Sequence, residues 1–236
     1  EDFVNRIVNV KKHTSVAEHG TVYLKVPMNV VTNSLVESVW EMLNNNKYTK
    51  HDCDSNYYYY STNYRVLLEQ DALNVLEYLC EPTEYHERRV TVRVKCPISV
   101  SREWNRHRAF SISEQSTRYC NYSKEKFGNQ ITFCKPYWLQ IIESNNDNAL
   151  YEDSINWFYN TIDYAEDAYL TMIDNGLKPQ EAREVLPLCT ATEVVYTGFI
   201  SDWKHFFELR TAGNAHPDIR KLAMDLQEQF KQQGLI

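Results

Sequence analysis

The sequence predicts a mixed α+β fold, one sheet with helices packed against it, and three observations carry that expectation. Residues Arg89-Val90-Thr91-Val92-Arg93-Val94-Lys95-Cys96 alternate strictly, valine or cysteine on one face and basic or hydroxylated side chains on the other, as a half-buried strand requires. Tyr151, Ile155, Phe158, Ile162, Ala165, Tyr169 and Met172 recur at alternating spacings of four and three, the stripe of a long amphipathic helix that packs on another helix or subunit. Strand and helix signals interleave along all 236 residues, so the whole of 1–236 reads as a single domain.

The elements follow in order. Phe3, Val4, Ile7 and Val8 form the apolar face of an opening helix, and because the chain starts at Glu1 rather than Met an N-terminal piece is expected to be missing. A strand is expected over 21–28 and a helix over 34–44, capped by Asn33 or Ser34. Residues 57–68 read as extended and 71–79 as helical, and the run Asn56-Tyr57-Tyr58-Tyr59-Tyr60 is of the kind strands carry. Pro97 ends the alternating strand and opens a short helix over 98–104 that leads to Arg106. Gly176 stops the long helix and Pro179 opens another through Val185. A strand over 191–199, a helix over 201–211 and a last helix over 217–230, with Ile219, Leu222, Ala223, Leu226 and Phe230 on one face, complete the chain. No internal repeat or low-complexity linker stands out.

Composition narrows the function. The six glycines, at 20, 128, 176, 198, 213 and 234, make neither G-x-G-x-x-G nor a P-loop, so a bound nucleotide must be held by side chains. Eleven Lys and Arg against three Asp and Glu give residues 88–135 a net +8, inside a chain whose total is −7. A local positive field in an acidic protein suits a compact anion better than a nucleic acid, although a basic face merely solvated is the plainer reading of charge alone. No apolar run approaches a membrane span and the start resembles no signal peptide. The six cysteines show no C-x-x-C and read as reduced thiols, which places the protein in the cytoplasm.

The chemistry concentrates in Arg106-His107-Arg108-Ala109-Phe110-Ser111-Ile112-Ser113-Glu114-Gln115-Ser116-Thr117-Arg118-Tyr119. Arginine forks donate paired hydrogen bonds to phosphate or to a planar carbonyl edge, the substitute a glycine-poor protein needs. Glu114 and Arg118 could equally be a surface i,i+4 pair. Arg210 shares a helix stripe with Trp203, Phe206 and Phe207, so it either snorkels or meets an anionic or carbonyl partner. His13 and His19, six apart, lack the i,i+4 spacing of helical zinc ligands; capping or core roles are expected for both, and no metal.

These residues resemble the flavin-dependent thymidylate synthase (ThyX) family. Its signature, Arg-His-Arg, seven residues, then Ser, is matched by Arg106-His107-Arg108 and Ser116, with Ser111, Glu114, Arg118 and Tyr119 in register. Three more blocks agree in order: His13-x-Ser15-x-x-Glu18-His19, Ala182-Arg183-x-x-Leu186-Pro187 and His205-Phe206-x-x-Leu209-Arg210. The resemblance runs from His13 to the end, with 29–87 an elaborated segment. It implies a ThyX-like fold with a central sheet flanked by helices, and a homotetramer whose active sites lie at subunit interfaces. It further implies reductive methylation of dUMP to dTMP, with FAD as redox mediator, NADPH as reductant and methylenetetrahydrofolate as the folate co-substrate.

By position, the resemblance assigns Ser15, Arg106, His107, Arg108, Glu114, Phe199, Ser201 and His205 to FAD. Glu103, Arg106, Glu114, Gln115, Ser116, Thr117, Arg118, Arg183 and Arg210 fall to dUMP. Arg210 is the expected catalytic residue, since a cation at the uracil carbonyl and N3 edge favours a nucleophilic C5. Ser116 lacks an adjacent base, which favours positioning over nucleophilic attack. Two departures stand out. Many members have glutamine at the position of Glu103, whose carboxylate would repel a phosphate unless protonated or paired with Arg102 or Arg106. Phe199-Ile200-Ser201 replaces Asn-x-Arg, leaving backbone or stacking contacts to the flavin there. The alternative function is a non-catalytic nucleotide or single-stranded nucleic-acid binding module using the +8 segment and its tyrosines.

Overall fold

The computed structural model describes residues 14–32, 37–145 and 148–236. The opening helix, His13 and the cap at Asn33 or Ser34 lie outside the described residues. Six strands, β1 (Thr21–Pro27), β2 (Lys50–Cys53), β3 (Tyr57–Asn63), β4 (Arg89–Pro97), β5 (Ser111–Glu114) and β6 (Ala191–Phe199), combine with helices in a mixed architecture. The helices are α1 (Met28–Thr32), α2 (Glu37–Asn45), α3 (Tyr64–Glu69), α4 (Ile98–Trp104), α5 (Tyr137–Ser144), α6 (Glu152–Asp174), α7 (Pro179–Ala182), α8 (Ile200–Arg210) and α9 (Pro217–Gln232).

The expectation of one central sheet is corrected. The described strands form two antiparallel three-stranded sheets, ordered β1-β3-β2 and β4-β6-β5. The two sheets have the same connectivity, which also corrects the expectation of no internal repeat. In each, an edge strand ends in proline and turns directly into a helix (β1–Pro27–α1, β4–Pro97–α4). A four-residue strand then forms the far edge, and the central strand comes last and runs straight into a helix (β3–α3, β6–α8). Thr21-Val22-x-Leu24-Lys25-x-Pro27 and Thr91-Val92-x-Val94-Lys95-x-Pro97 keep the same residues at four positions. The repeat is hidden in the sequence because β2 and β3 are joined by 54–56 alone, whereas 115–190 separate β5 from β6.

Local chemistry explains the other departures. The extended reading of 57–68 stops at Asn63, whose side chain accepts from the Val66 N–H and so caps α3. The expected helix over 71–79 is a 3-10 turn, Leu73–Tyr78. In α6 only Tyr169 of the apolar stripe is fully buried, Tyr151 is exposed, and Trp157 and Tyr164 stand off the stripe at 72% and 74% exposure. Gly176, at φ 92°, ends α6 as its spacing predicts, with the Leu177 N–H returning to the Met172 carbonyl.

The core that positions the site lies between β4-β6-β5 and helices α4, α8 and α9. Val94, Cys96, Val194 and Tyr196 from the sheet meet Trp104, Trp203, Phe206, Phe207, Ala223 and Phe230. Trp104 stacks on Tyr196 at 4.3 Å and on Phe206 at 4.4 Å, so one indole joins α4 to β6 and α8. The opposite face of this sheet is polar and is roofed by the 3-10 turn Thr14–His19. His19 bridges Thr197 Oγ1 (2.8 Å) and Ser113 Oγ (2.9 Å), and Thr91 Oγ1 meets Thr197 Oγ1 at 2.8 Å. Arg89 donates to the Glu18 carbonyl and Ser111 Oγ, both at 3.0 Å, and to Thr21 Oγ1 at 3.3 Å, stitching the turn and the first sheet to the second.

Gly198 matters for a different reason: a Cβ there would collide with the ring of Phe110, which lies over β6 at the base of the connection 105–110. Gly198→Ala is therefore expected to destabilise the fold by about 2 kcal/mol through overpacking. Urea unfolding of the two proteins checks this, and an unchanged midpoint would show that Phe110 can move aside.

Candidate active site

The connection from α4 to β5 carries Arg106, His107 and Arg108, and the aromatic core fixes where it points. Glu103 is in the last turn of α4, next to the buried Trp104; His107 packs its ring edge-on against Phe206 at 5.1 Å. Arg210 ends α8 on the stripe that buries Trp203, Phe206 and Phe207. It does not snorkel into solvent. Its Nε donates to His107 Nε2 (2.8 Å), Nη1 to Glu103 Oε2 (3.2 Å) and Nη2 to the Glu103 carbonyl (2.9 Å). The Glu103 carboxylate thus pairs with Arg210, not with Arg102 or Arg106. Three of the five guanidinium N–H groups are committed, which leaves one on each terminal nitrogen.

An imidazole nitrogen that accepts from arginine must be unprotonated, so His107 carries its proton on Nδ1. Its pKa is pushed down to about 4 by burial first, then by the positive charge of Arg210 and by His205. The site is accordingly a neutral imidazole, a carboxylate and a guanidinium locked together at the end of α8.

Arg106 and Arg108 are exposed, and their side chains form no ion pair or hydrogen bond with any described residue. Two exposed guanidiniums without protein partners leave their paired N–H donors open to an anion. Glu114 is held from α4: Ser101 Oγ donates to Oε1 (2.7 Å) and Asn105 Nδ2 to Oε2 (3.0 Å), while Asn105 Oδ1 accepts from Tyr196 Oη (2.9 Å). The surface pair Glu114–Arg118 does not form, because Glu114 is in β5 and Arg118 lies beyond its end, with Nε donating to Gln180 Oε1 (3.3 Å).

A second group gathers where α7 meets the turn after β5. Arg183 Nη1 reaches Thr117 Oγ1 (3.4 Å), Ser116 Oγ accepts from the Arg118 N–H (3.4 Å), and Gln115 is fixed by its N–H to the Glu193 carbonyl (2.8 Å). Of the other assigned residues, His205 lies near enough to His107 to lower its pKa, while Ser15, Phe199 and Ser201 stand apart from these groups. Ser15 is exposed on the 14–19 turn, and His205 is exposed on α8 beside Glu208. Phe199 is buried, with Arg89 and Lys50 over its ring, and the Ser201 N–H donates to Glu87. A cavity of about 580 Å³ lies along β4, α5 and α9, lined by residues such as Val92, Cys96, Tyr137 and Leu222, and includes none of the assigned residues.

Sequence reasoning missed Ser101, Asn105 and Tyr196, the supports of Glu114, and Arg89, whose pKa burial lowers to about 10. The strand alternation flagged Arg89 only as one of several basic residues, and nothing local distinguishes it from Arg93, which pairs with Glu193 at the surface.

Titration of His107 checks the cluster. Its imidazole is expected to remain neutral, protonated on Nδ1, down to about pH 4. In Arg210→Met the repelling charge is gone and the titration moves up, while burial keeps it below the ordinary value. Nitrogen-15 NMR of the ring reads both; an unchanged midpoint in the variant would contradict the contact.

A family model described as "Thymidylate synthase complementing protein" matches residues 81–233, which leaves the sheet β1-β3-β2 outside the match. The flavin-dependent thymidylate synthase of Thermosipho melanesiensis is 28% identical over 167 residues, 67% of this chain and 71% of that protein. That of Thermus thermophilus is 32% identical over 139 residues, 59% of this chain and 51% of that one. A probable flavin-dependent thymidylate synthase of Paramecium bursaria Chlorella virus 1 is 28% identical over 145 residues, 60% and 65% of the two chains. The chain therefore spans between about half and seven-tenths of these relatives' lengths. With well over half of its residues matched by the family model, the chain belongs to the family of thymidylate synthase complementing proteins.

Proposed function

We propose that this protein is a flavin-dependent thymidylate synthase, converting dUMP to dTMP with methylenetetrahydrofolate as carbon donor, FAD as redox mediator and NADPH as reductant. The observation that carries the reading is Arg210, brought by the fold to the Arg106-His107-Arg108 connection, 103 residues from its partner His107. The names of the relatives support the activity, and the unpaired side chains of Arg106 and Arg108 support a pyrophosphate-bearing cofactor. The chemistry supplied by bound FAD is the redox step that reduces the transferred one-carbon unit.

The chain's own residues do the rest. Arg210 offers one N–H from each terminal nitrogen to the carbonyl edge of the uracil ring, and donors there stabilise the negative charge that makes C5 nucleophilic. The phosphate of dUMP is left to Arg118 and Arg183, with Ser116 and Thr117 donating hydroxyls. Glu114, held by Ser101 and Asn105, accepts from the ribose or base. Ser15, Phe199 and Ser201 do not converge on Arg210 within one chain, which accords with sites completed between subunits of a homotetramer. The exposed Trp157 and Tyr164 of α6 provide an apolar surface for such an assembly. Residues 1–236 act as one unit in this reading, with 29–87 an elaboration of it. No helix of the described residues is long and apolar enough to cross a membrane; a cytoplasmic location, with no membrane or nucleic-acid partner, is part of the proposal.

Purified protein incubated with FAD is expected to show flavin absorbance and to form dTMP when given dUMP, methylenetetrahydrofolate and NADPH. Arg210→Ala is expected to retain the flavin and lose dTMP formation by at least about 100-fold, the usual cost of removing one transition-state donor. Absent flavin binding, combined with tight, salt-sensitive binding to single-stranded nucleic acid, would favour a non-catalytic binding module instead.

A further inference from the structure

Glu103 touches Arg210 twice, and the two contacts come from different parts of the residue. The backbone carbonyl takes Nη2 at 2.9 Å and the carboxylate takes Nη1 at 3.2 Å, while His107 takes Nε at 2.8 Å. A guanidinium anchored at all three nitrogens cannot rotate about its Cδ–Nε bond or slide along its plane. The side chains are mostly shielded, Arg210 being 19% and Glu103 29% exposed, so water competes weakly for these bonds. Both holding residues are themselves rigidly placed, Glu103 by α4 and its neighbour Trp104 in the aromatic stack, and His107 by its ring contact with Phe206.

From this geometry we infer that Glu103 is a positioning residue: with His107 it holds the plane of Arg210 so that the two remaining N–H groups meet the pyrimidine carbonyl edge, and it does not itself bind the nucleotide. The inference rests on the dUMP reading of the site. It departs from the assignment of Glu103 to the substrate shell, and its physical basis is charge. A carboxylate facing a nucleotide monoester would weaken binding, whereas one facing Arg210 orients the donor and holds its charge at one place. Misplacing a reacting or stabilising group by about 1 Å costs on the order of 100-fold in rate.

The test separates rate from binding. In Glu103→Ala, kcat for dTMP formation is expected to fall by about 30-fold with the KM for dUMP within about threefold of wild type, because the donor is loosened and no substrate contact is lost. Glu103→Gln keeps an acceptor for Nη1 without the charge and is expected to recover most of that loss. A KM raised tenfold or more with kcat retained, in either variant, would make Glu103 a substrate ligand and overturn the inference; so would unchanged kinetics in Glu103→Ala. A second readout needs no activity. The Arg210 Nε–H resonance is expected to be resolved and slow to exchange in wild type and in Glu103→Gln, and to broaden in Glu103→Ala. An Nε–H equally protected in all three would overturn the positioning role. Wild-type protein that forms no dTMP would remove the synthase reading, and the exchange experiment would still decide whether Glu103 holds Arg210.

Discussion

The three-point grip on Arg210 is the contact on which the site depends, because it joins segments that the chain keeps far apart. Helix α8 ends at Arg210, α4 supplies Glu103, and the connection after α4 supplies His107. Beneath the grip, the stack of Tyr196, Trp104 and Phe206 fixes the distance between the two helices. Hydrogen bonds to a charged group contribute about 1.5–3 kcal/mol each when shielded, and those at Arg210 are only partly so. Their larger effect is directional. They convert a flexible side chain into a donor of fixed orientation and, with burial as the larger cause, keep His107 neutral, so the Arg-His-Arg connection presents its two outer arginines without a competing imidazolium between them.

Polar side chains are satisfied by protein partners in the sheet beneath as well. The valine face of β4 enters the core; on its other face Arg89 is met by the 14–19 turn, while Thr91, Arg93 and Lys95 are exposed. His19 and Arg89 are the hinge pins of that arrangement, each meeting partners from two or three elements. The N-terminal block that resembles a family motif therefore acts in this chain at least partly as a roof: Glu18 pairs with Arg65, its carbonyl accepts from Arg89, and His19 clamps β5 to β6. The first sheet repeats the connectivity of the second but lacks its arginines. Where β4–α4 leads into Arg106-His107-Arg108, the segment before β2 reads Asn44-Asn45-Asn46-Lys47. One copy of the architecture bears the cationic cluster and the other does not.

How much of this was legible in the sequence depended on whether the signal was local. β4, Pro97 and α4 were readable because alternation and proline act within a few residues, and so were β6, α8 and α9. The end of β3 at Asn63 was missed because the capping bond to Val66 competes with strand propensity, and tyrosine-rich sequence favours the strand. The doubling of the sheet was missed because three loop residues in one copy stand against a 76-residue excursion in the other, residues 115–190. Among site residues, Arg210 was legible as a cation on an apolar stripe that needed a partner. Its actual partners were not, since the separation between Glu103 and Arg210 lies beyond any sequence window. Asn105 and Tyr196 were invisible for the same reason: a support is recognised only by the carboxylate it supports.

Every role proposed for the site turns on where the nucleotide's base lies relative to Arg210. A crystal structure of the FAD-loaded protein with dUMP tests this most directly. The uracil carbonyl edge is expected within hydrogen-bond distance of the Arg210 terminal nitrogens, with the contacts to Glu103 and His107 intact and the phosphate away from Glu103. A nucleotide bound with its base remote from Arg210, or with Glu103 swung off the guanidinium to contact the ligand, would contradict it.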